Sequence, residues 1–200
     1  MHEQADRPFA HVHVADAERG AATRDRVLAI ATRLFAERGY DDTSIESVLQ
    51  ESGLSRGALY HHYAGKDALF EAVLEATESA IGRKIVEAVR GIADPAAALR
   101  AGVLAWISLA GDPVIKRIVL IDAPSVMGWE RWRAMEERYS FGMLKTALEA
   151  TGAVPAAFLD LHAHMLLAAV NESALLVARG GDHDTAVAAV EEFLRRVIEG

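Results

Sequence analysis

The sequence contains no cysteine among its 200 residues, which excludes a scaffold held together by disulfides. Apolar stretches are interrupted by Asp, Glu, Arg or His before they reach about 18 residues. We therefore predict no transmembrane span and no contact with a membrane. The first 20 residues lack the apolar core of a signal peptide. With 52% hydrophobic and 25% charged residues, the composition indicates a globular protein, expected in the cytoplasm.

An excess of positive charge is also missing, because 21 basic residues face 29 acidic ones and the net charge is −8. The acidic excess lies mainly in residues 71–200, which have 13 basic and 18 acidic side chains. Residues 21–70 are nearly balanced, with 6 basic and 7 acidic side chains. Any contact with DNA would therefore depend on a local arrangement of donors and not on a broadly basic surface.

Periodicity divides the chain into a polar N-terminal segment and a series of helices. Residues 1–20, with His2, His11 and His13, show no pattern and are predicted to be a flexible tail and not a metal site. A helix is predicted from Thr23 to Gly39 because apolar residues then recur on one face: Val27, Ile30, Ala31, Leu34 and Phe35.

Two short helices follow. The run Thr43-Ser44-Ile45-Glu46 has the spacing of a capping box with Thr43 as the cap. Gly53 permits a left-handed turn, and Ser55 is suited to cap the next helix. Two short helices joined by a glycine turn form a helix-turn-helix, whose second helix can enter the DNA major groove.

The rest of the sequence predicts helices only. A long helix runs from Lys66 to about Arg90, and Gly180-Gly181 precedes the last one. Further helix starts are predicted at Pro95, Pro113, Pro124 and Pro155. We therefore expect an all-α fold of about nine helices, with a helix-turn-helix domain at 21–66 and a larger domain at 67–200.

Hydrogen-bond donors and small residues concentrate on the second short helix and beside it. We predict that these residues contact DNA, with flanking helix N-termini and Lys66 at phosphates: Thr43, Ser44, Ser55, Arg56, Gly57, Ala58, Tyr60, His61, His62 and Lys66.

The segment from Arg26 to Phe70, which includes LFAERGYDDTSIESVLQESGLSRGALYHHYAGKDALF, resembles the DNA-binding region of the tetracycline-repressor (TetR) family of bacterial transcriptional regulators. The resemblance implies a homodimer that binds a palindromic operator and is released by a small molecule in the C-terminal domain. It also implies that Tyr60 and Lys66 hold phosphates, that Thr43 caps its helix and touches the DNA backbone, and that Arg56, Ala58 and His61 face bases. The N-terminal tail is acidic, so we expect no minor-groove contact from it.

Large side chains in residues 94–180 are of the type that the family places around an effector cavity, although each of them is equally suited to a dry core. Trp132, Met135, Tyr139 and Met143 share one helical face and are predicted to line one wall. An apolar or aromatic effector is expected, with no other cofactor. The predicted ligand-binding residues are Trp106, Trp129, Trp132, Met135, Tyr139, Met143, His164, Met165 and Asn171.

The last two helices have more apolar surface than one buried face requires, which predicts a four-helix dimer interface like that of the family. Its predicted residues are Leu159, Leu166, Val170, Leu176, Val187, Val190, Phe193 and Leu194.

Two other functions compete with DNA binding. Gly53-Leu54-Ser55-Arg56-Gly57 fits the G-x-S-x-G motif of hydrolases, but this motif requires a preceding strand and an α/β sheet. A helical adaptor that binds only proteins is the second alternative. The side chains of adjacent histidines on a helix, such as His61 and His62, point in different directions, and so do those of histidines two positions apart. We therefore predict no metal site.

Overall fold

A computed structural model describes the backbone of residues 8–199 and the side chains of residues 20–198. The chain divides into two compact units, one ending at Val73 and the other beginning at Leu74. The first unit contains α1 (Pro8–Arg38), α2 (Ile45–Ser52), α3 (Arg56–His62) and the start of α4 (Lys66–Val89).

Helix α1 is longer than the sequence pattern predicts. It begins at Pro8 and not near Thr23, so residues 8–20 of the predicted flexible tail are helical. Proline is well tolerated at a first helical position, where its missing N–H would have no partner inside the helix. Residues 1–7 and the side chains of His2, His11 and His13 lie outside the described residues.

The core of the first unit consists of the apolar face of α1 packed with residues from α3 and α4. Phe35 and Phe70 are fully buried, and their rings meet edge to face at 5.1 Å between centroids. Leu59 of α3 is also fully buried. This packing fixes one face of α3 inward and leaves the opposite face exposed.

The second unit continues from α4 with α5 (Pro95–Leu109), α6 (Pro113–Ile115), a π-helical segment (Lys116–Asp122) and α7 (Ala123–Met127). It then has α8 (Trp129–Glu136), a second π-helical segment (Glu137–Phe141), α9 (Gly142–Thr151), a short 3₁₀ turn (Ala156–Phe158), α10 (Leu159–Ala178) and α11 (His183–Glu199). Several of these segments run on without a break, so the described chain consists of nine continuous helices and no strand, which confirms the all-α prediction.

The predicted helix start at Pro124 is wrong. Residues from Pro113 to Met127 form one continuous helical rod that passes through Pro124. The π-helical segment before Pro124 shifts the backbone hydrogen bonds, and the Ala123 N–H donates to the carbonyl of Ile118, five residues earlier.

The core of the second unit lies between α5, α9, α10 and α11, and it contains five of the residues predicted for the dimer interface. Exposed fractions between 1% and 6% place these five inside the chain, which corrects the prediction: Leu159, Leu166, Val170, Val190 and Leu194. Helical periodicity shows that a face is apolar, but it does not show whether the chain itself covers that face.

Other apolar residues of α10 and α11 remain exposed. Leu176 is 54% exposed and Phe193 is 39% exposed, as the dimer prediction requires, while Val187 is half-buried. Leu161 and Met165 of α10 are also exposed, at 62% and 57%. Residues 156–178 have the length and the mean hydropathy, 1.3, of a membrane span, but a core helix of a soluble protein has the same properties, and α10 places seven residues in the core.

Candidate nucleic-acid interface and effector cavities

The α2–turn–α3 unit is held by local hydrogen bonds. The Ser47 N–H donates to Ser44 Oγ at 3.1 Å, which makes Ser44 the N-cap of α2. Gly53 ends α2 with a left-handed φ of 69°, and the Ala58 N–H donates to Ser55 Oγ at 3.2 Å. The predicted turn at Gly53 and the predicted cap at Ser55 are therefore confirmed.

Thr43 does not cap α2, which corrects the sequence prediction. Its side chain is 1% exposed, and Oγ1 donates towards the carbonyl of Gly39 at 2.8 Å and that of Leu34 at 3.2 Å. The hydroxyl thus binds two carbonyls at the end of α1, that of Leu34 in its last turn and that of Gly39 directly after it. A hydroxyl buried in this way does not reach a phosphate.

Helix α3 has one buried and one exposed face. Leu59 and the following Tyr63 are buried, whereas the opposite face presents predicted DNA-contacting residues to solvent. The exposed ones are Ser55, Arg56, Gly57, Tyr60 and His61, and Ala58 and His62 are half-buried.

Arg56 is held by an ion pair across the turn. Its Nη2 lies 2.6 Å from Oε1 of Glu46 on α2, and both side chains are exposed. The hydrogen bond from Arg56 lowers the pKa of the Glu46 carboxyl below its usual value. Any other acceptor that binds the Arg56 guanidinium would therefore compete with this carboxylate.

Lys66 lies at the start of α4 beside an aromatic ring. Its Nζ donates to the carbonyl of Asp41 at 3.2 Å and lies 4.1 Å from the ring centroid of Tyr40. The hydroxyl of Tyr40 donates to Asp67, and burial together with this carboxylate raises the pKa of Tyr40 to about 12. These contacts position the Lys66 ammonium close to the loop between α1 and α2.

The serine of the G-x-S-x-G motif is a helix cap. Ser55 follows helix α2 and a glycine turn, and residues 8–199 include no strand that would support a nucleophile elbow. Among residues 20–198, whose side chains the structure describes, there is no group of three or more potential metal ligands.

A first cavity of about 550 Å³ lies in the second unit and is almost entirely apolar. Met143 of the predicted set lines it, together with Trp106 and Asn171. Other lining residues include Ile85, Val86 and Val89 at the C-terminal end of α4.

A second cavity of about 710 Å³ is lined by all three tryptophans of the sequence, Trp106, Trp129 and Trp132. The carboxylates of Glu78 and Glu136 also line it, although these side chains are only 5% and 7% exposed. Burial raises the pKa of each carboxyl to about 7, and for Glu78 the neighbouring charge of Glu136 contributes. For Glu136, Arg133 and Asn171 partly oppose the shift.

A chain of hydrogen bonds lies where the two cavities share lining residues. Trp106 Nε1 donates to Asn171 Oδ1 at 3.1 Å, and Asn171 Nδ2 donates to Glu136 Oε1. Trp106 and Asn171 line both cavities. The amide of Asn171 thus connects the first cavity, called the apolar cavity below, to the second, called the acidic cavity because Glu78 and Glu136 line it.

Four predicted ligand-binding residues line neither cavity. Met135 is buried, Tyr139 is half-buried, Met165 is exposed, and His164 stacks on Phe141 with 4.1 Å between ring centroids. Beyond Met135, the predicted stripe from Trp132 to Met143 loses its register because residues Glu137–Phe141 are π-helical. A π-helical turn contains more residues than an α-helical turn, so it rotates the following side chains out of register.

The prediction missed Glu78 and Glu136. A signal for Glu78 was present, since it stands four residues after Leu74 and three before Ile81, within the apolar stripe of α4. A carboxylate in an apolar stripe is costly to bury and often marks a functional site.

Two family models together match most of the chain. Residues 27–73 match the model of bacterial regulatory proteins of the tetR family, and residues 96–200 match that of the tetracyclin repressor-like C-terminal domain. Members of this family are transcriptional regulators and not enzymes.

Curated relatives match in the N-terminal part. The transcriptional regulator LmrA of Bacillus subtilis is 40% identical over 81 residues, which are 40% of this chain and 43% of LmrA. The transcriptional repressor Rv1474c of Mycobacterium tuberculosis is 49% identical over 53 residues, 26% of this chain and 28% of the repressor. The matched segment therefore spans less than half the length of these relatives.

Solved structures match over nearly the whole chain. A TetR-family transcriptional regulator from Pectobacterium atrosepticum is similar with a TM-score of 0.76 and 29% identity, over 90% of this chain and 96% of that one. RolR in complex with its ligand resorcinol has a TM-score of 0.68 and 19% identity, over 91% and 95% of the two chains. Because the C-terminal model alone matches more than half of the sequence, the chain belongs to the TetR family of bacterial regulatory proteins.

Proposed function

We propose that this protein is a ligand-released transcriptional repressor that binds a palindromic operator as a homodimer. The exposed face of α3, with Arg56, Tyr60 and His61 opposite the buried Leu59, is the observation that supports the DNA-binding part. A recognition helix with donors on its outer face can reach base edges in the major groove. The protein would act in the cytoplasm, where the bacterial chromosome lies.

The contacts divide into two groups. Arg56, Ala58 and His61 would face bases, while Ser44, Tyr60 and Lys66 would contact phosphates on either side of the groove. Because the segment around α3 is nearly balanced in charge, affinity would depend on these placed donors and would be sensitive to salt.

Exposed apolar residues support the dimer. Leu161, Met165 and Leu176 of α10 and Phe193 of α11 are each more than a third exposed. Large apolar side chains clustered on two helices favour an interface between two copies, and a palindromic operator requires such a pair.

Helix α4 contains both a proposed DNA-contacting residue and residues that line the two cavities. Lys66 begins this helix, Glu78 lines the acidic cavity, and Ile85 and Val89 line the apolar one. An effector in either cavity would touch α4 and favour a different spacing of the two α3 helices in the dimer. The cavity volumes of about 550 and 710 Å³ suit a small organic molecule.

Selection of bound duplexes from a random DNA pool tests this function. A palindromic consensus with half-sites about one helical turn apart is expected. Arg56→Ala should relax the preference at one position of each half-site and leave the others unchanged. If the folded dimer selects no sequence even at low salt, the protein-binding adaptor becomes the better description.

A further inference from the structure

The acidic cavity has a feature that an apolar effector leaves unexplained. Glu78 and Glu136 are both more than nine-tenths buried, and among residues 20–198 neither carboxylate forms an ion pair. Buried carboxylates that form no ion pair are costly, so proteins keep them mainly where the charge is used.

The hydrogen bonds of the pair are incomplete. Glu136 Oε1 accepts from Asn171, but Glu136 Oε2 is buried and has no hydrogen-bond partner. A carboxylate kept for structural reasons would have both oxygens satisfied, because a buried acceptor without a donor costs stability. The unpartnered oxygen indicates a missing positive charge or donor.

The rest of the wall is of the kind that binds organic cations. The rings of Trp129 and Trp132 lie 5.3 Å apart at a tilted angle, and Trp106 completes the set. Indole faces attract cations through the negative face of the ring, and the attraction is stronger where water is excluded. An ammonium beside Trp106, Trp132 and the two carboxylates would be bound by both effects, whereas Trp129 is 66% exposed and would contribute less.

The basic residues of the cavity form no ion pair with its two buried carboxylates. Arg133 lines the wall and its charge lowers the pKa of Glu136, but its Nε lies 4.0 Å from the exposed Glu137 and its Nη2 contacts His164 at 3.4 Å. The Arg133 guanidinium also lies 5.8 Å from the centroid of the Trp129 ring. Arg179 lines the wall as well, and so does the exposed Glu172. An anionic effector would lie next to two buried carboxylates and is disfavoured.

We propose that the acidic cavity binds an organic cation with an apolar or aromatic body, held by Glu78, Glu136 and the three tryptophans. This inference rests on the proposed function, since it names the chemical class of the effector. The cavity volume of about 710 Å³ is compatible with a cation that has one aromatic ring or several.

Binding of a matched pair of small molecules tests the charge requirement. Phenyltrimethylammonium and tert-butylbenzene have nearly the same shape, but only the first is charged. Trp129 and Trp132 line this cavity and not the apolar one, whereas Trp106 lines both, so tryptophan fluorescence reports binding and the variants below assign it to this cavity. Calorimetry on the same dimer provides an independent Kd. The cation should bind at least about tenfold more tightly than its neutral counterpart.

Variants locate the effect. Glu78→Gln and Glu136→Gln preserve side-chain size, and each should weaken cation binding about tenfold or more while leaving the neutral compound unaffected. The exposed Glu130→Gln on α8 is the control, because Glu130 lies outside the cavity and the change in charge is the same. Equal affinities for the two compounds, no cation binding up to about 1 mM, or equal effects of all three variants would overturn the proposal.

A second measurement separates this inference from the proposed function. Release of the selected operator is followed by fluorescence anisotropy with each compound. A cation that binds through the two carboxylates but does not release DNA would support the cation site and contradict ligand release. Release by neutral compounds alone, with no cation binding, would support ligand release and contradict the cation site.

Discussion

The substitution Glu78→Gln should stabilise the protein increasingly as pH rises. Burial raises the pKa of Glu78 from an ordinary value of 4.5 to about 7, so between these pH values the folded state holds a proton that the unfolded state has lost. With respect to this carboxyl, the free energy of unfolding is highest below pH 4.5, where Glu78 is protonated in both states, and it falls as pH rises to 7. Glutamine resembles the protonated acid and does not titrate, so the variant avoids this loss.

The pKa change of about 2.5 units sets the size of the effect. At about 1.4 kcal/mol per unit, the variant should exceed the parent protein in unfolding free energy by about 1 kcal/mol at pH 5.5 and about 3 kcal/mol at pH 8. For a chain of this length, each kcal/mol corresponds to roughly 2–4 °C in Tm. The advantage of the variant should therefore grow by about 4–8 °C between the two pH values.

Thermal unfolding by circular dichroism at pH 5.5 and pH 8, at one protein concentration, measures this difference. Comparing variant and parent at each pH cancels the titration of the groups that they share, except Glu136, whose charge interacts with Glu78. The exposed Glu130→Gln should show no such growth. A Tm difference that is independent of pH, or a variant less stable than the parent at pH 8, would refute the argument that burial perturbs Glu78.

Three further predictions concern DNA binding and assembly. Glu46→Gln removes the carboxylate that holds Arg56, so operator affinity in an anisotropy titration should rise by up to about fivefold; an unchanged affinity would mean that Arg56 gives up no partner on binding. Tyr60→Phe deletes an exposed hydroxyl that we assign to a phosphate, and binding to all duplexes should weaken alike, by up to about tenfold; a loss limited to certain sequences would make Tyr60 a base contact. Leu176→Glu places a charge on the exposed apolar face of α10, and sedimentation equilibrium should then show monomers; a persistent dimer would exclude this face from the interface.

Local sequence patterns were sufficient for the DNA-binding unit. The glycine turn at Gly53, the cap at Ser55 and the buried Leu59 depend on residues within one or two helical turns, so the sequence shows them directly. The resemblance of residues 26–70 to the TetR family was specific for the same reason, because the motif is contiguous. Thr43 was assigned wrongly because its partner carbonyls, at Leu34 and Gly39, compete with a capping role that Ser44 can fill equally well.

The effector region depended on contacts distant in sequence. The sequence alone determined that residues 94–180 contain the tryptophans and that α10 and α11 are rich in apolar residues. Only the tertiary structure decided that Leu166 and Leu194 lie in the core while Leu176 remains exposed. It also decided that Glu78 and Glu136, 58 positions apart, line one cavity. Periodicity specifies which face of each helix is apolar, whereas the packing of helices distant in the sequence decides which faces meet and which charges are buried together.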